Sequence, residues 1–255
     1  MDIPIALISF LLLVTRIGSY FVSMPVFSGR QIPQLMKLGL VLALSYLTYL
    51  VIEPTIDFTV SNWMELVLLC VQEAVIGLLF GTVSTIVFLG IQSAGDFIDL
   101  FAGLKMSTNY DPITGSSGSI YANFYNWLAV VLFFMMNGHH YLIKGIVNTV
   151  FFLPLGETGL IELSLYQVSM AITKSFLISL QLAIPVCMIL FLVDLILGII
   201  SRSVPQINVF ILGMPLKLVV SFVMMFLIIV GITKSIGLAL DSVVQVLNEF
   251  IKAFG

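Results

Sequence analysis

Apolar residues in this chain gather into six long runs: Ile3 to Ser23, Leu38 to Ile52, Met64 to Gln92, Ile120 to Asn137, Ser175 to Ile200 and Ile207 to Ile232. None shows the period-two alternation that barrel strands need. An amide left unpaired in lipid costs several kcal/mol, so unbroken runs of this kind in a bilayer are helical. The pattern predicts an all-α, polytopic membrane protein. The run lengths are uneven. Crossing the hydrocarbon takes about 20 residues, whereas the second run has 15 and the third 29. Tilt or local thinning absorbs such mismatch, and so does a sheath of protein around some helices in place of lipid.

Composition sharpens this class. Of 255 residues, 60% are hydrophobic and 9% charged, with mean hydropathy +1.18; an average soluble domain carries roughly 25% charged residues. The net charge of −3 offers nothing to a polyanion, so disorder, secretion and soluble nucleic-acid binding are excluded. Asp2 and Pro4 stand where a signal peptide has its basic residues, and the first run reads as a retained membrane element. With the N-terminus outside, the inner loops hold Arg30, Lys37, Lys105, Arg202 and Lys217, against Lys144 and Lys252 outside. The bias of basic residues toward the cytoplasm predicts that orientation.

The stretch from Ser93 to Ser119 differs in kind, with four glycines, a proline and many small polar residues. It reads as a long loop, either functional or a plain connector. Asp96 and Asp99 would share a face if helical, either as a proton-relaying pair or as a cap at a segment end. Asp194, deep in VCMILFLVDLILGII, needs a basic partner such as one on another chain, or a proton. Arg16 and Glu73 are further ionisable residues inside apolar runs. Ala74, Gly77, Gly81 and Ser84 form a small-residue ridge suited to close helix packing. The 12 methionines and 20 phenylalanines fill a core or make a deformable seal. Cys70 and Cys187 lie in apolar runs without disulfide or zinc spacing. His139 and His140 are adjacent and lack metal-site spacing. Neither a catalytic motif nor a cofactor motif is present.

The run PQINVFILGMPLK from Pro205 is specific. Pro205 ends or redirects one helix, Asn208 is a good cap for the next, and Gly213 and Pro215 predict a kink early in it. This run resembles the C-terminal signature of the FliR family of flagellar biosynthetic proteins and their injectisome relatives. TRIGSYFVSMPVFSG around Arg16, GDFIDLFAG, the YDP at Asp111 and NGHHYLI extend the resemblance from about residue 8 to 250. It implies a single export-gate domain over 1–255, with a FliP-like part over about 1–165 and a FliQ-like helical hairpin over about 166–255. It also implies kinked hairpins and no enzymatic activity, with FliP-like, FliQ-like and FlhB-like partners. The implied setting is the bacterial inner membrane at the flagellar basal body, with membrane lipid around the gate and unfolded polypeptides exported through it.

A pore plug is implied over Gly103 to Gly118, carrying Gly103, Lys105, Met106, Asp111, Pro112, Gly115 and Gly118. The cytoplasmic turn with Arg202, Pro205, Gln206 and Asn208 is the expected contact for a partner or substrate. Arg16, Gly77, Gly81, Asp96, Asp99, Asp194, Gly213, Pro215 and Lys217 are expected to serve packing. The alternative is an autonomous secondary transporter or ion channel using intramembrane carboxylates, although no internal repeat of that class is found.

Overall fold

A backbone that must satisfy its own hydrogen bonds turns these apolar runs into helices. The computed structural model describes residues 5–24, 27, 32–52, 62–105, 119–156, 161–203 and 209–252. Among them stand seven helices: α1 (Ile5–Ser23), α2 (Gln34–Ile52), α3 (Trp63–Phe101), α4 (Ile120–Met135), α5 (Gly138–Phe152), α6 (Ile161–Ser203) and α7 (Val209–Lys252).

α1 and α2 have 19 residues each, or roughly 28 Å, close to the hydrocarbon thickness. α2 begins at Gln34, four residues before the expected Leu38, because Pro33 supplies a helix start. Its carbonyl accepts from the Met36 and Lys37 amides at 3.0 and 3.2 Å. The expected mismatch of the second run therefore disappears.

α3 is the larger correction. It has 39 residues and carries on through 93–101, a stretch the sequence reading assigned to a loop. Ile91, Ala94, Ile98 and Ala102 are all buried, and their spacing of three and four is that of a helix face. The glycines and polar residues between them masked this stripe. α3 ends at Gly103, which has φ +80°. There the Leu104 amide donates to the Asp99 carbonyl at 2.9 Å and the Gly103 amide to the Leu100 carbonyl at 3.2 Å. This pair of bonds is a Schellman motif, and its left-handed residue favours glycine.

α5 was not anticipated as a separate element. Asn137, at φ 56°, takes the left-handed conformation that asparagine tolerates best among side-chain-bearing residues, and so divides α4 from α5. α6 and α7 reach 43 and 44 residues, running on through Pro185 and Pro215 respectively. Both exceed the expected runs. Asp194 meets Lys217, and a Cβ on Gly213 would lie 3.1 Å from the Leu197 side chain. Paired numbers that move in opposite directions make α6 and α7 antiparallel.

The chain divides into two compact units: Met1–Val87 with Asn137–Ile172 and Ser242–Gly255, and Phe88–Met136 with Thr173–Asp241. In the first, Ile8, Leu12 and Leu13 of α1 pack with Leu66, Val150 and Leu155 as a core. In the second, Phe88 of α3 stacks edge-on against Phe133 of α4 at 5.3 Å, and Tyr121 meets Phe222 of α7 at 5.8 Å.

Candidate functional site

Among the described residues, each unit holds a charged cluster built on helix ends. In the first unit Arg16 of α1 pairs with Glu73 of α3, both side chains fully buried. The guanidinium also donates to the carbonyls of Leu153 at 2.8 Å and Thr149 at 3.4 Å. These belong to the C-terminal end of α5, where the helix dipole is negative; Leu153 is the C-cap residue, and the Thr149 carbonyl also accepts the Leu153 amide at 2.8 Å. Glu73 in turn accepts the Gly156 amide at 3.0 Å. One ion pair thus closes α1 on α3 and terminates α5. Nearby, the Tyr20 hydroxyl donates to the Leu142 carbonyl at 3.2 Å.

The α1–α3 contact beside this pair depends on the absence of side chains. A Cβ at Gly77 would overlap Ser19 and the Arg16 carbonyl, and one at Gly81 would overlap Ser23 and the Tyr20 carbonyl. The Thr85 hydroxyl then reaches across to the Ser23 carbonyl at 2.5 Å. Close backbone approach of this kind is how membrane helices gain packing and interhelical hydrogen bonds.

In the second unit Asp99 is buried and its two carboxylate oxygens accept the Tyr121 and Ala122 amides, each at 3.1 Å. These are first-turn donors of α4, which have no partner within their own helix. Ser119, at the N-cap position, makes no side-chain cap bond, so the cap is supplied by α3. Asp96 accepts the Ser119 hydroxyl at 3.1 Å and pairs with Lys105 at 3.0 Å. Gly95 makes this approach possible, since a Cβ there would overlap the backbone of Tyr121 and Ala122. The Tyr121 hydroxyl continues to Ser221 of α7 at 2.8 Å.

Other expected site residues are placed as follows. Asp194 pairs with Lys217 of the same chain, in place of the partner on another chain or the proton that the sequence reading supposed. Arg202 sits exposed in the last turn of α6, where a cation suits the dipole. Gly103 ends α3, and Lys105 folds back to Asp96. Gly213 and Pro215 lie within continuous α7. Met106, Asp111, Pro112, Gly115, Gly118, Pro205, Gln206 and Asn208 lie outside the described residues. Cys70 and Cys187 are unlinked and only partly buried, and among the described residues no three His, Cys, Asp or Glu side chains gather as a metal site. The role of Glu73 as the partner of Arg16 had no signal in the sequence beyond both being charges in apolar runs.

The charged clusters hold helices together and complete their termini. Among the described residues, five helices are long and apolar enough to cross a membrane, or six if α4 and α5 count as one span. This defines a polytopic, all-helical membrane protein.

Residues 7–243 match the family described as Bacterial export proteins, family 1, and the chain belongs to that family, the FliR family. It is 32% identical to the flagellar biosynthetic protein FliR of Bacillus subtilis (strain 168) over 220 residues, 85% of this chain and 84% of the relative. It is 32% identical to FliR of Escherichia coli (strain K12) over 213 residues, 82% and 80% of the two chains. Against FliR of Aquifex aeolicus (strain VF5) it is 25% identical over 250 residues, 97% and 95%.

Proposed function

We propose that this chain is a core, non-enzymatic subunit of the flagellar type III export gate in the bacterial inner membrane. In this reading it assembles with FliP-like and FliQ-like subunits, and an FlhB-like protein, into a channel for unfolded polypeptides. The observation that carries the reading is the length of bare apolar helix. The apolar stretch of α6 is Val168–Ser203, 36 residues, and 17% of its most apolar window is buried. Such a stretch is about 54 Å long. Even at a steep tilt of about 40° it spans about 41 Å, well beyond the roughly 30 Å of hydrocarbon. Lipid alone does not cover it, so sister subunits are the natural cover. Residues up to about 165 form the FliP-like part in this reading, and the rest, with α6 and α7, the FliQ-like hairpin.

Residues 103–118 serve as the plug, with Gly103 and Lys105 at its base, and Arg202, Pro205, Gln206 and Asn208 meet the FlhB-like protein or substrate. An autonomous transporter would use Asp96, Asp99 or Asp194 as ion sites, whereas Asp99 is buried and engaged by α4, and Asp96 and Asp194 are paired with Lys105 and Lys217. Two measurements test the proposal. Co-purification from native membranes is expected to recover FliP-like and FliQ-like subunits; a chain that is stable and transport-competent alone overturns the gate reading. Deleting 106–118 in the assembled complex is expected to raise ion leakage, and unchanged conductance with normal assembly overturns the plug.

A further inference from the structure

The outer face of α7 repeats itself. Leu212, Leu216 and Val219 recur eleven positions on as Val223, Leu227 and Val230. Eleven further on, the same three seats hold Lys234, Leu238 and Asp241. All are exposed, the aliphatic ones between 44% and 79%. An eleven-residue repeat has about 3.67 residues per turn, so the stripe stays on one face of a nearly straight helix. The third repeat keeps this geometry and sets a cation and an anion about 10 Å apart along it. Among the described residues, nothing pairs with Lys234 or Asp241.

Neither lipid nor water covers this face well. The apolar stretch of α7 is Leu212–Asp241, 30 residues, and hydrocarbon takes about 20 of them. Any such window includes Lys217, Lys234 or both. Lys217 is held by Asp194, whose side chain is 41% exposed. It stands about 26 Å along the axis from Lys234, less than the roughly 30 Å of hydrocarbon. One charged level therefore meets the hydrocarbon at every placement, where charge is costly. With α7 outside the bilayer, the aliphatic seats meet water instead. A protein cover removes both difficulties, and a second helix matches a straight stripe of this period.

We propose that this face of α7 docks an apolar helix of a sister subunit, and that the docked helix presents a carboxylate to Lys234. The inference rests on the export-gate reading and adds the chemistry of the contact. The aliphatic seats supply area and accept many alignments. Lys234 accepts one, because a covered cation without an opposite charge is strongly destabilising; a polar residue in an apolar seam sets register in this way. Asp241, of opposite sign on the same stripe, gives the docked helix a direction.

Lipid and a carboxylate predict opposite results for one substitution. Against lipid, Lys234→Met removes a costly charge and leaves the assembly intact; against a carboxylate it strands that acid. The gate complex is purified from native membranes through this chain, and its sister subunits are quantified by mass spectrometry. Lys234→Met is expected to lower their recovery at least about ten-fold, and Lys234→Arg to keep it. The Lys234→Met chain alone should melt in detergent like wild type. In the wild-type complex a membrane-permeant carbodiimide is expected to couple Lys234 to an Asp or Glu of another subunit. Neutralising that acid in the Lys234→Met background should restore recovery. Full recovery with Lys234→Met, or no coupling of Lys234 to another subunit, overturns the proposal and leaves the gate reading standing. So does coupling to Asp241 of a second copy, which assigns self-association, or early melting of the Lys234→Met chain alone, which assigns a role within this chain. A wild-type chain that recovers no sister subunit overturns the gate reading and this inference with it.

Discussion

The α1–α3–α5 region and the α6–α7 hairpin each carry one carboxylate–cation pair inside apolar helices, and they house it differently. Arg16 and Glu73 are sealed from solvent and bonded to the end of α5. Asp194 and Lys217 keep side-chain exposures of 41% and 19%, amid Leu192, Leu195 and Ile196, which are themselves exposed. A half-exposed ion pair is poorly placed against lipid, where charge is costly. The first pair is therefore a closure within the chain. The second marks a surface that needs a polar neighbour or water in the assembled protein.

Four tests break or sharpen that contrast, the largest first, with Gly39→Ala as a control. Arg16→Met strands Glu73 in a dry interior and removes the donors at the end of α5; a loss of about 3–5 kcal/mol is expected, read as thermal stability of the purified chain in detergent. Arg16→Met with Glu73→Leu should recover part of it. If Arg16→Met alone melts like wild type, the closure is not what holds this region. Gly81→Leu drives a side chain into Ser23 and the Tyr20 carbonyl, and should cost about 1–3 kcal/mol by overpacking. Gly39, with nothing within 4 Å of its added Cβ, is the control: Gly39→Ala should be neutral or stabilise by about 0.5–1 kcal/mol.

Asp99→Asn keeps the side chain's shape but loses its charge and one of the two oxygens that accept the Tyr121 and Ala122 amides. About 1 kcal/mol is expected, with faster hydrogen exchange at the Tyr121 and Ala122 amides; unchanged exchange would sink the capping role. Smallest is Asp194→Asn with Lys217→Met. A part-exposed pair contributes at most about 1 kcal/mol, so the isolated chain should melt nearly as before while recovery of partner subunits falls. A large loss of stability with full partner recovery would reverse the comparison.

Much of this organisation is visible in single residues. Arg16, Asp99 and Asp194 stand out because a charge in an apolar run must be answered by something, and the Gly77–Gly81 ridge is local enough to read directly. The partners are not. Glu73 lies 57 positions from Arg16, and Asp99 finds its donors on α4, 22 and 23 positions on. Nothing in either stretch names the other. The misreading of 93–101 as loop has a similar origin: Gly95 looks like a loop former, but it sits in α3 because α4 passes against its bare Cα. Gly103 was expected only as the first residue of the plug; its φ of +80° makes it the residue that ends α3. The plug and turn residues beyond it rest on the resemblance and the proposed function.

The sequence by itself determined that this is an all-helical membrane chain of the export-protein family, because apolar run length and backbone self-satisfaction act along the chain, residue after residue. Only the tertiary structure decided where α3 ends, which acid answers which base, and which helix end each charge completes. Those outcomes depend on backbones coming close enough at Gly77, Gly81 and Gly95 for side chains distant in sequence to meet, and ångström-scale approach of that kind is a property of the packed helices.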